Sequence, residues 1–272
     1  MKIQVVVPTI NLWNKYTKQC LESIQVAMVR AKQHQIDCRL LLIDNASTDE
    51  TKEEAGKMVS EVFSHKRNED RWGFQKSVNF GVNDAFSRGY DIVLVCNNDI
   101  IIHPEAIWRL TERFAQGDVG MVTCLDIQGE MTEKKLNPLL INNLNAIEKV
   151  PVPEAPHPNF SAFALTKDTW DKVGEFDELY TPAYFEDNDF HYRMKLAEIR
   201  AIVLPTAMFY HYGSRTQNEA AENNMPIVSG GMFENARGAY VRKWGGKPGE
   251  EKWLFPYGDV TLLITDTKQT KV

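Results

Sequence analysis

The chain has 272 residues, a net charge of −6, 43% hydrophobic and 25% charged residues. This is the composition of a folded protein with one large domain, or one domain and a modest extension, not of a disordered or fibrous chain. The acidic balance offers no basic excess for gripping nucleic acid or an anionic membrane through charge, and no run reaches the roughly 18 apolar residues of a membrane span.

The first 125 residues alternate between two hydrophobic periods. "KIQVVVP" is a short strand, and Cys20, Leu21, Ile24, Ala27, Met28 and Ala31 mark an amphipathic helix. "RLLLID" is an apolar strand, "STDETKEEAGKMVSEVF" a helix with Ser47 or Thr48 as cap, and "FQKSVNFGVNDAF" a further helix. "DIVLVC" is a strand, Pro104 opens a helix through Ile107, Leu110 and Phe114, and "VGMVTC" is a strand. Strands apolar throughout and separated by helices predict a mostly parallel sheet with helices on both faces. The stretch from Asp126 to Asn159, rich in Asn and Pro, predicts long loops. Regular elements resume with "FSAFALT", "KDTWDKV", a helix from about Asp187 to Ala197 and the strand "RAIVLP"; a last helix lies around "GGMFENARGAYVRKW". Cys20, Cys38, Cys96 and Cys124 form no CxxC pair and no cluster of zinc spacing, as in a reduced, cytoplasmic protein.

Polar residues gather where such sheets bind ligands, at the carboxyl ends of the strands. Thr9 and Asn11 follow the first strand, Asp44, Asn45 and Ser47 the second, and Asn97, Asn98 and Asp99 the strand "DIVLVC". Each cluster also suits strand ends and helix caps. The stretch "TPAYFEDNDFHYRMK" crowds Glu186, Asp187 and Asp189 behind two aromatic residues. Acids in a first helical turn gain ~0.3–1 kcal/mol from the helix dipole, and Asp189 and Arg193 are spaced to pair on the helix surface. A carboxylate beside Tyr184, Phe185 and Phe190 is also partly desolvated, which raises its proton affinity and suits it to act as a base.

Seven segments in order, "VVVPTIN", "LLIDNASTDET", "GFQKSVNFGV", "VLVCNNDIIIHPEAIWRL", "FSAFALTKDTWDKVGEFDELY", "YFEDNDFHYRM" and "FYHYGSRT", resemble the family 2 glycosyltransferases over about residues 2–216. The resemblance implies an α/β GT-A-type, Rossmann-like sheet, an inverting reaction, and a nucleotide-sugar donor with a UDP or TDP leaving group. It implies a catalytic domain over 1–216, with a nucleotide-sugar half at 1–125 and an acceptor half at 126–216, followed by a small C-terminal helical extension at 217–272. By the same resemblance, Thr9, Asn11 and Asp44 line the nucleobase pocket. Asn97-Asn98-Asp99 stands where the family usually has Asp-x-Asp, so only Asp99 supplies a full charge. His211 completes a divalent metal site, with Mn2+ favoured over Mg2+ by the imidazole, and Arg215 contacts phosphate. Asp187 is the general base, with Glu186 binding the acceptor or positioning Asp187. Trp72 and Trp170 are stacking candidates for a sugar, though core packing suits them better.

The acceptor is a glycan or another hydroxyl compound, reached in solution or by peripheral docking at a membrane. A nucleic acid acceptor is disfavoured by the acidic balance, and the oligomeric state stays open. Two rival readings are a nucleotidyltransferase, for which "PTINLWNK" lacks the glycines of a phosphate loop, and a binding protein that has lost catalysis, against which Asp99, Asp187 and His211 are all present.

Overall fold

The computed structural model describes residues 1–64, 72–127, 153–213 and 230–258. The sheet has eight strands: β1 (Lys2–Thr9), β2 (Asp37–Asp44), β3 (Glu61–Ser64), β4 (Ile92–Cys96), β5 (Ile100–Ile102), β6 (Met121–Asp126), β7 (Ala162–Thr166) and β8 (Ala201–His211). Their order is β3-β2-β1-β4-β7-β6-β8-β5. The half built by β1 to β4 is parallel, and β7 joins it antiparallel to β4 and then to β6. β6 and β8 are parallel, and β5 closes the far edge antiparallel to β8.

Alternation along β1 shows why the strands are apolar on both sides. Ile3, Val5 and Val7 belong to a core shared with α1 (Lys18–Gln33) and α4 (Ala106–Phe114), through Leu21, Ile24, Ile107 and Leu110. Val6 points the other way, into a core with α3 (Phe74–Ser87), α5 (Lys167–Val173) and α6 (Glu186–Leu196), which supply Val78, Val82, Trp170 and Phe190. Helices thus cover both faces, as a buried sheet requires. Trp170 is a core residue, with its Nε1 donating to Asn83 Oδ1 at 2.8 Å. The cysteines are free, with Cys20, Cys96 and Cys124 buried.

Three expectations are corrected. The acidic segment after β2 forms only a short helix, α2 (Thr51–Met58), and its apolar end "EVFS" becomes the edge strand β3. The short helix stops because Val59 turns to an extended conformation. Neither Ser47 nor Thr48 caps α2. Asp49 accepts from the Thr51 N–H at 3.1 Å, and Ser47 bonds the loop after β1. The third concerns Asp189 and Arg193, which do pair at 2.8 Å, but Asp189 is fully buried. The pair belongs to the interior because α7 (Gly230–Trp244) packs over it, with Tyr240 and Trp244 forming a small third core with Tyr180 and Phe185. Among the described residues no helix is long and apolar enough to cross a membrane.

Candidate active site

β1 lies between β2 and β4, and the loops leaving β1 and β2 run side by side at the carboxyl end of the sheet, the usual ligand position in such folds. Those loops are stitched together. The Asn11 N–H donates to Ser47 Oγ at 2.7 Å, and the Thr48 N–H donates to Asn11 Oδ1 at 2.6 Å. Asn11 and Leu12 have φ of 55° and 65°, left-handed values that Asn tolerates better than most residues. Asp44 is buried at the end of β2. Its Oδ1 accepts from the Ser47 N–H at 3.1 Å and its Oδ2 from Ser64 Oγ at 2.8 Å.

The Asn97-Asn98-Asp99 turn carries the chain from β4 at the centre to β5 at the edge. Asn98 is buried, and its Nδ2 donates to the hydroxyls of Thr9 and Thr17, each at 3.0 Å. The Asn97 N–H donates to the Ser161 carbonyl at 2.8 Å. Asp99 is buried, and its Oδ1 lies 3.2 Å from His211 Nε2. The opposite imidazole nitrogen lies 3.5 Å from Ser161 Oγ and 3.8 Å from Asp126 Oδ2. Burial alone would lower the His211 pKa, but Asp126 and Asp99 outweigh it and hold the group at about 9.

The residues fit a divalent cation. His211 Nε2 is buried and, despite its nearness to Asp99, makes no hydrogen bond of good geometry. A carboxylate oxygen suits Mg2+ or Mn2+, and an imidazole nitrogen beside it shifts the preference toward a transition metal. Among the described residues no group of three or more His, Cys, Asp or Glu is arranged around a metal position. A cation held by Asp99 and His211 would take its remaining ligands from substrate phosphates and water.

The acidic tip of α6 is held to this crevice through the start of α3. The Trp72 N–H donates to Asn45 Oδ1 at 3.1 Å, and Asn45 Nδ2 bonds the Trp72 carbonyl in return. Trp72 stacks at 5.6 Å on Phe63, which makes it a packing residue of this loop. Two residues on, the Phe74 N–H donates to the Pro182 carbonyl at 3.1 Å. A Cβ on Gly73 would stand 2.7 Å from that oxygen, so only glycine allows this approach. Tyr184 and Phe185 then take φ of 79° and 67°, a strained entry to α6. Glu186 is buried with no hydrogen-bond partner on Oε2, and burial with the neighbouring Asp187 charge pushes it up to about 8. Asp187 is half-buried, and burial raises its pKa too.

The structure therefore brings Thr9, Asn11, Asp44, Asn97, Asn98, Asp99 and His211 to one end of the sheet, with Glu186 and Asp187 linked to it through residues 72–75. Arg215 lies outside the described residues. Sequence reasoning passed over Asp126, Asn159 and Ser161. Asn159 Nδ2 donates to Asp126 Oδ2 at 3.2 Å, beside His211. The available signal was that Asp126 closes β6 as Asp44 closes β2.

Known proteins match the chain in family and in fold. The model of the family described as glycosyl transferase family 2 matches residues 4–172. No curated protein matches the chain. The crystal structure of S. aureus TarS 1-349 superposes with a TM-score of 0.58 at 18% identity, covering 90% of this chain and 74% of that one. The same TarS fragment in complex with UDP-GlcNAc matches at 0.58 and 18%, with 92% and 74% covered. GalNAc-T7 with UDP, GalNAc and Mn2+ matches with a TM-score of 0.63 at 15% identity, covering 98% of this chain and 54% of that one. These likenesses show the GT-A fold, and the family model spans more than half of the sequence: the chain belongs to glycosyl transferase family 2.

Proposed function

We propose that the protein is an inverting, metal-assisted glycosyltransferase that moves a sugar from a UDP- or TDP-sugar to a hydroxyl acceptor. The observation that carries this is the Asp99–His211 contact of 3.2 Å, at the end of the sheet where Asn98 ties its turn to Thr9. Thr9, Asn11 and Asp44 form the base end of the donor pocket. Asp44 keeps its loop-ordering bonds and presents its remaining lone pairs to the imide N–H of a pyrimidine. Asn97 and Asn98 shape the turn beneath the diphosphate, and Arg215 reaches phosphate. Asp99 and His211 hold a divalent cation, Mn2+ rather than Mg2+ because one ligand is imidazole. When bound, that cation supplies positive charge where the diphosphate departs.

Asp187 does the proton chemistry. The acceptor hydroxyl forms a bond to the anomeric carbon from the face opposite the diphosphate, the carbon–diphosphate bond breaks, and the hydroxyl proton passes to Asp187. Its raised proton affinity brings it nearer the working pH of a general base. Glu186, protonated below about pH 8, avoids a second charge beside Asp187 and can donate to the acceptor. GalNAc-T7 with UDP, GalNAc and Mn2+ and TarS with UDP-GlcNAc support a nucleotide-sugar donor by likeness of fold. Free thiols fit a reducing, cytoplasmic setting, with any membrane acceptor reached by peripheral docking.

The test is NMR of the sugar released when water replaces the acceptor, run with UDP- and TDP-sugars. Release of the inverted anomer by the wild type, and a loss of roughly 10²–10⁴ in rate for Asp187→Asn, are expected. A retained anomer, or unchanged turnover in the variant, would contradict the assignment.

A further inference from the structure

Side chains of the C-terminal helix α7 converge on the first turns of α6. Asp189 stands two positions after Asp187 and has no solvent exposure. Its Oδ1 accepts from Trp244 Nε1 at 2.8 Å and from the Tyr180 hydroxyl at 3.2 Å, and lies 2.6 Å from Lys243 Nζ. Its Oδ2 accepts from Arg193 Nε at 2.8 Å. Lys243, itself buried, also donates to Asp177 Oδ2 at 2.7 Å, ahead of the short 3-10 turn Glu178–Tyr180. Burying an ammonium group is unfavourable unless it is closely paired, and an apolar helix face would have docked α7 without that cost.

On the other side of Asp187, α7 supplies aromatic contacts. Phe233 lies 5.1 Å from Tyr184 and 5.3 Å from Phe185, and Tyr240 lies 5.7 Å from Phe185. Tyr184 and Phe185 are the two left-handed residues that open α6. Bulky residues keep such φ values only where surrounding contacts hold them. The candidate base is therefore braced by α7 from before, through aromatic rings, and from behind, through Asp189.

We infer that Lys243 is a positioning residue for the transfer reaction: by clamping Asp189 it sets the first turn of α6 and, through it, the carboxylate of Asp187. This rests on the reading of Asp187 as general base. Helix α7 is then part of the catalytic unit and not an appendage to it.

The full-length chain tests this with Lys243→Met and Trp244→Phe, each alone and combined with Asp187→Asn. The readouts are kcat and KM for UDP-sugar hydrolysis and UDP affinity by calorimetry. Trp244→Phe removes one hydrogen bond without unpairing a charge, so it serves if Lys243→Met folds poorly. Lys243→Met should lower kcat by about tenfold or more, because small misplacements of a reacting group are costly. KM and UDP affinity should stay within about twofold. Adding Lys243→Met to Asp187→Asn should cost nothing further, since both act through one carboxylate. A wild-type kcat in both α7 variants, an equal loss in the Asp187→Asn background, or a parallel fall in kcat and UDP affinity would overturn the inference. Normal turnover by Asp187→Asn alone would instead remove the general-base reading, and the inference with it.

Discussion

His211 Nε2 and Asp99 Oδ1 meet at 3.2 Å because β5 and β8 run antiparallel with Ile100 opposite His211. The register depends on a local irregularity. β6 pairs Cys124 with Leu204 but Leu125 with Met208, so β8 bulges around Pro205, which has no N–H to give to a ladder. Beyond the bulge, β8 brings Phe209 opposite Asp126 and His211 opposite Ile100. One irregular stretch thus places two carboxylates around one imidazole.

Asp99→Asn and His211→Ala should each weaken Mn2+-dependent UDP binding by at least about tenfold, as loss of one of the two proposed metal ligands implies. Metal-free UDP binding should change little. Calorimetry with Mn2+ and with EDTA checks both statements.

Glu186 gives the stability a pH signature. Its folded pKa of about 8 lies above that of a carboxyl in the unfolded chain. Between pH ~4.5 and 8 the folded state therefore holds the extra proton, and stability falls as pH rises, by at most about 1.4 kcal/mol per unit. The contribution is complete below the unfolded value and is lost as pH passes through about 8. Urea unfolding from pH 5 to 8 should show this slope, and Glu186→Gln should reduce it, with His211, held at about 9, keeping part of it above pH ~6.5.

Gly81 marks where α3 touches the sheet. A Cβ there would stand 2.4 Å from Val6 Cγ1 and 2.9 Å from Ile43 Cδ1. Gly81→Ala should therefore destabilise the fold by roughly 1–3 kcal/mol through overpacking, although alanine is the better helix former. A shift of the urea midpoint at constant slope is the expected result.

Asn98 is a tie more than a ligand. Its Nδ2 serves Thr9 and Thr17 at once, and all three are buried. Asn98→Ala leaves those hydroxyls short of a donor and should cost about 1–3 kcal/mol in denaturant unfolding. It should also weaken UDP binding, because the turn bearing Asp99 loses its anchor to β1.

Much of this was legible in the sequence, for reasons that differ by element. The apolar strands and the amphipathic α1 and α3 follow from period alone, since their burial is local to each element. β3 was not legible: "EVFS" continues the helical pattern of α2, and only pairing with Leu41 to Asp44 makes it a strand. Asp44, Asp99 and Asp187 could be singled out because acids at strand ends and beside aromatic residues are chemically conspicuous. The Asp99–His211 contact and the link from the tip of α6 to α3 could not, because they depend on the β5–β8 register and on the Gly73–Pro182 approach. Asp189 looked like a surface partner of Arg193 at i+4 spacing, and nothing local announced that Lys243 and Trp244 would bury it.

The most direct test of the donor site is titration of UDP and TDP into the wild-type protein by calorimetry, first with Mn2+ and then with EDTA. The account predicts that one or both nucleotides bind with Mn2+ and that chelation removes most of the affinity. Equal binding with and without metal would contradict the roles of Asp99 and His211, and no binding under either condition would contradict the donor site itself.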